Sequence, residues 1–378
     1  MNLDFSEEQE MLRKSARDFL TKECPKTLAR QLEEDEKGYS PELWRKMAEL
    51  GWMGLILPEE YDGMGMEFMD LIILLEEIGR NIVPSPFLST VVLGGLSILA
   101  AGTEEQRKEF LPKIARGEMI LTLALTEPSA RYDAAGVATR AAAQGDSFII
   151  NGTKLFVENA NISDYMICVT RTGKGATPEE GITLFLVDAK SPGIRCEVMP
   201  TIGADKLCEV VLNNVSVPKK NVLGKRDKGW PLVARTLEQA TMAKCAEMIG
   251  GAQAALDMTV AYVKERVQYG RPIGGFQVIQ HYCANMWINV ETGKNILYET
   301  AWKVGTGLPA AMEVAAAKGW INECYKFVTE RAVQCHGAIG TTKDHDIGLY
   351  YRRAKAAELA FGDTDYQREV VAQQIGAS

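Results

Sequence analysis

Arg266-Val267-Gln268-Tyr269-Gly270-Arg271-Pro272-Ile273-Gly274-Gly275-Phe276-Gln277 interrupts a long helical pattern. On its N-terminal side Ala252, Ala255, Leu256, Thr259, Val260 and Val263 recur at three- and four-residue spacing, which is one face of an α-helix. Gly270 and Pro272 are expected to end that helix, and Gln277 and Gln280 lie one turn apart on the next. Leu297, Ala301 and Val304, then Ala311 to Ala317, continue the same period. Residues 228–378 therefore read as helices long and apolar enough to pack in a four-helix bundle and against a partner subunit.

Toward the N-terminus the character changes. Over residues 119–227 the runs are short, β-branched and aromatic: Ser147 to Ile150, Tyr165 to Val169, Ile182 to Val187. Turns at Asn151-Gly152 and Ser191-Pro192-Gly193 separate them, and this spacing predicts a small barrel or sandwich. Residues 1–118 return to helices. Ser6-Glu7-Glu8-Gln9 is a capping box, and Thr103-Glu104-Glu105-Gln106 caps a later helix. A helix from Pro41 to Leu50 stops at Gly51, Pro58 to Gly65 is a turn-rich loop, and a helix from about Phe68 is expected to end at Gly79. The fold class is α+β: a helical domain over 1–118, a β-barrel domain over 119–227 and a helical bundle over 228–378.

The chain has 378 residues, 46% of them hydrophobic, enough for two or three packed units around a large core. Its net charge of −8 disfavours nucleic acid or an anionic membrane as a general partner, so a polyphosphate ligand needs local cationic pockets. The 8 cysteines form no C-x-x-C pair, a reduced intracellular pattern, and with only 3 histidines no metal site is expected. The start Met1-Asn2-Leu3-Asp4-Phe5 has no basic region followed by an apolar stretch, so no signal peptide is expected. Leu71 to Leu75 is too short to cross a bilayer, and a soluble cytoplasmic protein is the expectation. There is no G-x-G-x-x-G after a strand, so no Rossmann nicotinamide site is indicated.

Four motifs carry chemistry beside the opening one. Leu125-Thr126-Glu127-Pro128-Ser129-Ala130-Arg131-Tyr132-Asp133 leaves a predicted strand. Asn151-Gly152-Thr153-Lys154-Leu155-Phe156-Val157-Glu158-Asn159-Ala160 spans another. Gln334-Cys335-His336-Gly337-Ala338-Ile339-Gly340 is a glycine-rich turn after a helix, where a backbone can approach a nucleotide closely. The chain then runs through Arg352-Arg353-Ala354-Lys355 to Ala360-Phe361-Gly362-Asp363-Thr364-Asp365-Tyr366-Gln367-Arg368.

Together these stretches resemble the acyl-CoA dehydrogenase family, whose helix–barrel–helix architecture agrees with the pattern above. The resemblance implies FAD as cofactor, an acyl-CoA substrate, reoxidation by an electron-transfer flavoprotein, and a homotetramer or a hetero-oligomer with a homologous subunit. It assigns the flavin to Leu125 and Thr126, whose hydroxyl and neighbouring N–H groups bond the pyrimidine end of the ring. Phe156 flanks the ring, Glu158 replaces a threonine beside N5, and Arg131-Tyr132 replaces a Gly-Ser pair whose serine lies near the pyrophosphate, so that Arg131 is the expected phosphate contact instead. Arg266 is matched to the pyrophosphate, which suits guanidinium geometry. Gln268, Tyr269, Ile273 and Gln277 surround it, and Gln334, Gly337 and Ala338 form the nucleotide turn.

The implied reaction removes a proton next to a thioester while hydride passes from the next carbon to the flavin, so a carboxylate must reach the α-proton. The family's two places for this glutamate map on Phe361 and Ala240, both apolar here. Three carboxylates remain as candidates, the first two ranked level and the last third: Asp363 on the C-terminal loop, Glu238 two residues before Ala240, and Glu247 seven residues after Ala240 on the same helix face. Each also has a structural role open to it: Asp363 as helix N-cap, Glu238 as a solvated helix residue, Glu247 as a member of an ion pair. The Phe-Gly-Asp ending resembles a bacterial subset of the family and implies a branched, cyclic or otherwise bulky acyl group. A base-less flavin- or CoA-binding subunit, and an enoyl-CoA reductase or decarboxylase, are the alternatives.

Overall fold

The computed structural model describes residues 5–376. The expectations that touch Met1 to Asp4 and Ala377-Ser378, namely the missing signal peptide and the outer limits of the first and third domains, lie outside the described residues.

The chain begins with helices α1 (Glu7–Glu23), α2 (Lys26–Glu34), α3 (Pro41–Glu49), α4 (Phe68–Asn81), α5 (Leu96–Ala101) and α6 (Glu104–Ala115). The strands follow: β1 (Leu121–Ala124), β2 (Arg140–Gln144), β3 (Ser147–Glu158), β4 (Tyr165–Arg171), β5 (Ile182–Asp188), β6 (Ile194–Met199), β7 (Leu207–Pro218) and β8 (Val222–Leu223). Then come α7 (Trp230–Glu265), a short hairpin of β9 (Val267–Gln268) and β10 (Arg271–Pro272), and α8 (Gln277–Gly305), α9 (Ala311–His336), α10 (Ile347–Leu359) and α11 (Thr364–Gln374). The helical start, sheet middle and helical end expected from the sequence are the arrangement observed.

The helix ends follow local chemistry. At α1 the Ser6 hydroxyl accepts the Gln9 N–H at 3.2 Å while the Gln9 side chain accepts the Ser6 N–H at 3.1 Å. Thr103 and Gln106 repeat the exchange at α6. Gly51 takes φ 77° after α3, as a left-handed stop requires. α4 does not stop at Gly79 but runs on to Asn81. Gly79 is needed for another reason: a Cβ there would lie 2.0 Å from the Glu247 carbonyl oxygen, and one at Gly250 would lie 1.8 Å from that of Glu76. Backbone meets backbone where α4 crosses α7. The sequence pattern also did not anticipate α2, or the π-helical stretch Leu88–Gly95 that leads into α5. That stretch is rich in β-branched residues and ends in two glycines, a poor helical signal on its own.

Two compact units divide the chain: Met1–Gln31, Glu67–Val83 and Thr241–Ser378 form one, and Leu32–Met66 with Pro84–Ala240 form the other. In the first, α1 and α4 belong with the C-terminal helices. The Tyr298 hydroxyl donates to the buried Glu76 carboxylate at 2.6 Å, and Arg13 reaches the same carboxylate at 3.4 Å. In the second, the strands run in the order β6-β7-β3-β2-β4-β5-β8, with β1 added in parallel on β4. β6 and β8 end this order without pairing to each other. Phe148, Ile150, Val157, Phe185, Val210 and Val217 fill the sheet's core. No helix of the described residues is long and apolar enough to cross a membrane.

Candidate active site

In the sheet unit, the chain leaves β1 through Leu125 and Thr126, both half-buried. The Thr126 carbonyl accepts the Leu155 N–H at 2.8 Å, but its hydroxyl has no hydrogen-bond partner among the described residues. Phe156 explains itself by register. The β3–β7 ladder slips between Lys154 and Val157, and Phe156 takes φ 56° within that bulge. A bulge turns one extra side chain outward. Lys154 and Val157 stay buried, and the Phe156 ring is left 46% exposed. Glu158 closes the strand, half-buried and opposite Leu207. The Arg131 guanidinium, the candidate for a phosphate, holds Asp133 with two bonds of 2.9 and 2.6 Å.

In the helical unit, Gly270 is corrected. α7 ends at Glu265, and Tyr269 and Gly270, at φ 53° and 77°, form the two-residue turn of the β9–β10 hairpin. Two positive φ values match the twist of a tight hairpin. The turn projects Tyr269, which is 93% exposed. Arg266, Gln268 and Gln277 are exposed beside it, with Ile273 half-buried and its N–H on the Arg266 carbonyl at 2.8 Å. Arg271 lies over the Phe276 ring at 4.2 Å. Arg266 has no acidic partner among the described residues. At the end of α9, Gln334 and Ala338 are exposed and Gly337 turns the chain at φ 66° with nothing within 4 Å of where its Cβ would be. His336, by contrast, is packed: it stacks on Tyr262 at 4.4 Å, and burial holds its pKa below the ordinary histidine value.

Each unit by itself offers groups suited to part of such a ligand: in the sheet unit a threonine hydroxyl with no partner among the described residues and an outward aromatic ring suit a flavin ring, and in the helical unit a guanidinium with no acidic partner among the described residues and an exposed glutamine amide near an open glycine turn suit a phosphate and a nucleotide. The residues present therefore fit FAD.

The three candidate carboxylates have separate environments. Asp363 caps α11, its carboxylate accepting the Tyr366 N–H at 2.9 Å. The preceding Phe361, at φ 58°, is half-buried and its carbonyl accepts the Gln367 amide at 2.7 Å. Glu247 is bound to Lys244 at 2.7 Å. Glu238, in the first third of α7, is half-buried and has neither a salt bridge nor a hydrogen bond among the described residues. Burial pushes its pKa up, against a smaller downward pull from Arg235.

Sequence reasoning passed over Glu127 and Lys154, which form an ion pair of 2.7 Å inside the sheet unit. The signal was present: Lys154 shares the inward parity of Phe148 and Ile150 on β3.

Comparison with known proteins gives three family-model matches. They are acyl-CoA dehydrogenase, N-terminal domain, at residues 6–118; middle domain, at 122–215; and C-terminal domain, at 227–376. A 3-(aryl)acrylate reductase of Clostridium sporogenes is 36% identical over 98% of this chain and 99% of its own length. A subunit of the caffeyl-CoA reductase–Etf complex of Acetobacterium woodii is 34% identical over 98% and 99%. The solved butyryl-CoA dehydrogenase of Megasphaera elsdenii superposes with a TM-score of 0.92 at 30% identity, covering 99% of this chain and 100% of that one.

Proposed function

The chain belongs to the acyl-CoA dehydrogenase family, FAD-binding oxidoreductases acting on acyl-CoA, and we propose that it desaturates a bulky acyl-CoA between the α and β carbons, with Glu238 as the base. The observation that carries this reading is the setting of Glu238: a half-buried carboxylate with neither a salt bridge nor a hydrogen bond among the described residues, and a pKa that burial raises against a smaller pull from Arg235. A base in that state is basic enough to take an α-proton and is not held by a competing partner. Asp363 and Glu247 each already serve a structural bond, so they rank below it.

In the proposed step the α C–H bond breaks and its proton passes to the Glu238 carboxylate. The β C–H bond breaks with its electron pair, and the C=C bond forms. Bound FAD supplies the acceptor for that hydride. In the sheet unit Thr126 and Phe156 would orient the ring, and in the helical unit Arg266 with Gln334 and the Gly337-Ala338 turn would contact the pyrophosphate and nucleotide of an FAD. Arg131 is left out of this set because Asp133 occupies it. Gln268, Tyr269, Ile273 and Gln277 frame the hairpin around Arg266, and Leu125 and Glu158 complete the ring's surroundings.

The bulky acyl group is supported by the Phe-Gly-Asp ending and by the aryl and caffeyl groups in the relatives' names. An electron-transfer flavoprotein as electron partner is supported by the Etf complex to which one relative belongs. The reverse direction, reduction of an enoyl-CoA, is the second reading, favoured because both of those relatives are named reductases. A homotetramer is proposed from the family, and the functional division 1–118, 119–227 and 228–378 is supported by the family matches.

The test is anaerobic mixing of the purified, FAD-loaded protein with a panel of straight, branched, cyclic and aryl acyl-CoA thioesters. Bleaching of the flavin by bulky members supports the proposal. A protein that takes up no FAD, or bleaches with none of them and is instead reoxidised by enoyl-CoA alone, overturns the proposed direction or the function itself.

A further inference from the structure

Beneath the Thr126 loop lies a pair of opposite charges removed from water. Lys154 is 0% exposed and Glu127 5% exposed, with Nζ and Oε1 2.7 Å apart. The same ammonium donates to the Leu125 carbonyl at 3.0 Å. Glu127 in turn accepts the Ala138 N–H at 2.9 Å and the Thr139 N–H at 3.0 and 3.1 Å. Burial would raise the carboxyl's pKa, but Lys154 and the Thr139 bonds overcome it and hold it below its ordinary value.

The geometry selects what is held. Leu125 is tied by its carbonyl to Lys154, Thr126 by its carbonyl to Leu155, and Glu127 by its side chain to Lys154 and the Ala138–Thr139 backbone. Three successive residues are fixed from the protein side, and the Thr126 hydroxyl has no partner among the described residues. A buried ion pair is seldom a better source of stability than apolar residues of the same volume, so its place under this one loop calls for another role.

We propose that Lys154 is a positioning residue which, with Glu127, clamps Leu125–Thr126 as a preorganised donor edge for the flavin and keeps the ground beneath that edge electrically neutral. This deepens the proposed function and rests on its placing of the flavin ring at Thr126. Neutrality matters because an unbalanced buried charge acts on the ring across a low-dielectric interior. Glu127→Gln leaves an ammonium, which favours the more negative, reduced flavin. Lys154→Met leaves a carboxylate, which disfavours it.

The experiment has two arms. On the apoprotein, amide hydrogen exchange at Leu125, Thr126 and Glu127 is expected to quicken at least tenfold in Lys154→Met, with strands β4 and β5 unchanged. On the FAD-loaded protein, the flavin potential is expected to rise in Glu127→Gln and fall in Lys154→Met. Each shift corresponds to at least a tenfold change in relative affinity for the two redox forms, about 30 mV for a two-electron couple. The double variant Glu127→Gln/Lys154→Met, which buries no net charge, is expected to return toward the wild-type potential. Shifts of the same sign in folded variants, or a double variant displaced further than either single one, overturn the electrostatic role. Unchanged exchange overturns the clamp. A wild-type protein without FAD affinity removes the flavin reading, and the positioning role with it, whereas the exchange arm still reports on the loop.

Discussion

Replacing Gly250 by alanine tests the packing that holds the helical unit together. The added Cβ would lie 1.8 Å from the Glu76 carbonyl oxygen and 2.8 Å from the Arg80 nitrogen. Both are backbone atoms of α4, so no rotamer change relieves them. Ordinary contact needs roughly 3.5 Å, so α4 and α7 must part by more than about 1 Å. Parting forfeits dispersion along the seam and pulls at the Glu76 bond to Tyr298, 2.6 Å long. Overpacking of this kind costs about 1–3 kcal/mol, and the upper end applies where backbone meets backbone. Alanine returns about 1 kcal/mol in helix propensity, leaving a net loss near 2 kcal/mol. Gly319 in α9 provides the control. A Cβ there meets only the Gln367 Cβ at 3.5 Å, an ordinary contact, so Gly319→Ala keeps the propensity gain of about 1 kcal/mol. Thermal unfolding of the two variants beside the wild type is the assay. One chemical change in two helices is expected to move the midpoint in opposite directions. A Gly250→Ala protein that melts at or above Gly319→Ala refutes the close crossing.

Further tests address single residues. Asp363→Ala removes the α11 cap and is expected to cost about 1 kcal/mol in unfolding experiments while flavin reduction stays within tenfold of wild type; a hundredfold loss would move the base to Asp363. Arg266→Gln removes a guanidinium that has no acidic partner among the described residues and is matched to phosphate by the family resemblance; it is expected to weaken FAD binding by roughly 10- to 100-fold, the worth of a charged hydrogen bond, in an equilibrium titration of the apoprotein. Lys318 is buried, donates to Asn322 and to the Ala357 and Glu358 carbonyls, and has its pKa lowered by burial from 10.5 to about 8. The unfolded chain therefore binds the extra proton between those values, so wild-type stability relative to Lys318→Met is expected to rise with pH from about 8 to 10.5. A flat or falling difference in denaturant titrations contradicts a buried ammonium there.

What the sequence showed depended on whether the cause was local. Capping at Ser6 and Thr103 and the stop at Gly51 are set within a few residues and were legible. Gly79 and Gly270 were read as helix stops because glycine after an apolar run has that local meaning. In the structure one is demanded by a helix nearly 170 residues away in the chain, and the other by a hairpin turn. Phe156 was placed at the ring by resemblance, but its outward pose comes from a ladder slip against β7 that no local pattern marks. The sequence left Asp363 and Glu238 level and put Glu247 third. The final order comes from partners: a cap for Asp363, a lysine for Glu247, and neither salt bridge nor hydrogen bond for Glu238 among the described residues. Lys154 and Glu127 lie in two separate motifs, and a charged residue at an inward strand position identifies its partner only once the loop is folded over it.

The most direct test of the central claim is rapid anaerobic mixing of wild-type and Glu238→Gln protein, both loaded with FAD, with a bulky acyl-CoA that bleaches the wild type. With Glu238 as base, the glutamine variant binds FAD normally but reduces it about 10²–10⁴-fold more slowly. The wild-type rate falls on acidification through a midpoint above the ordinary carboxylate value of 4.5, because the working form is the deprotonated one and burial raises its pKa. Equal rates in the two proteins, with the same pH dependence, contradict the account.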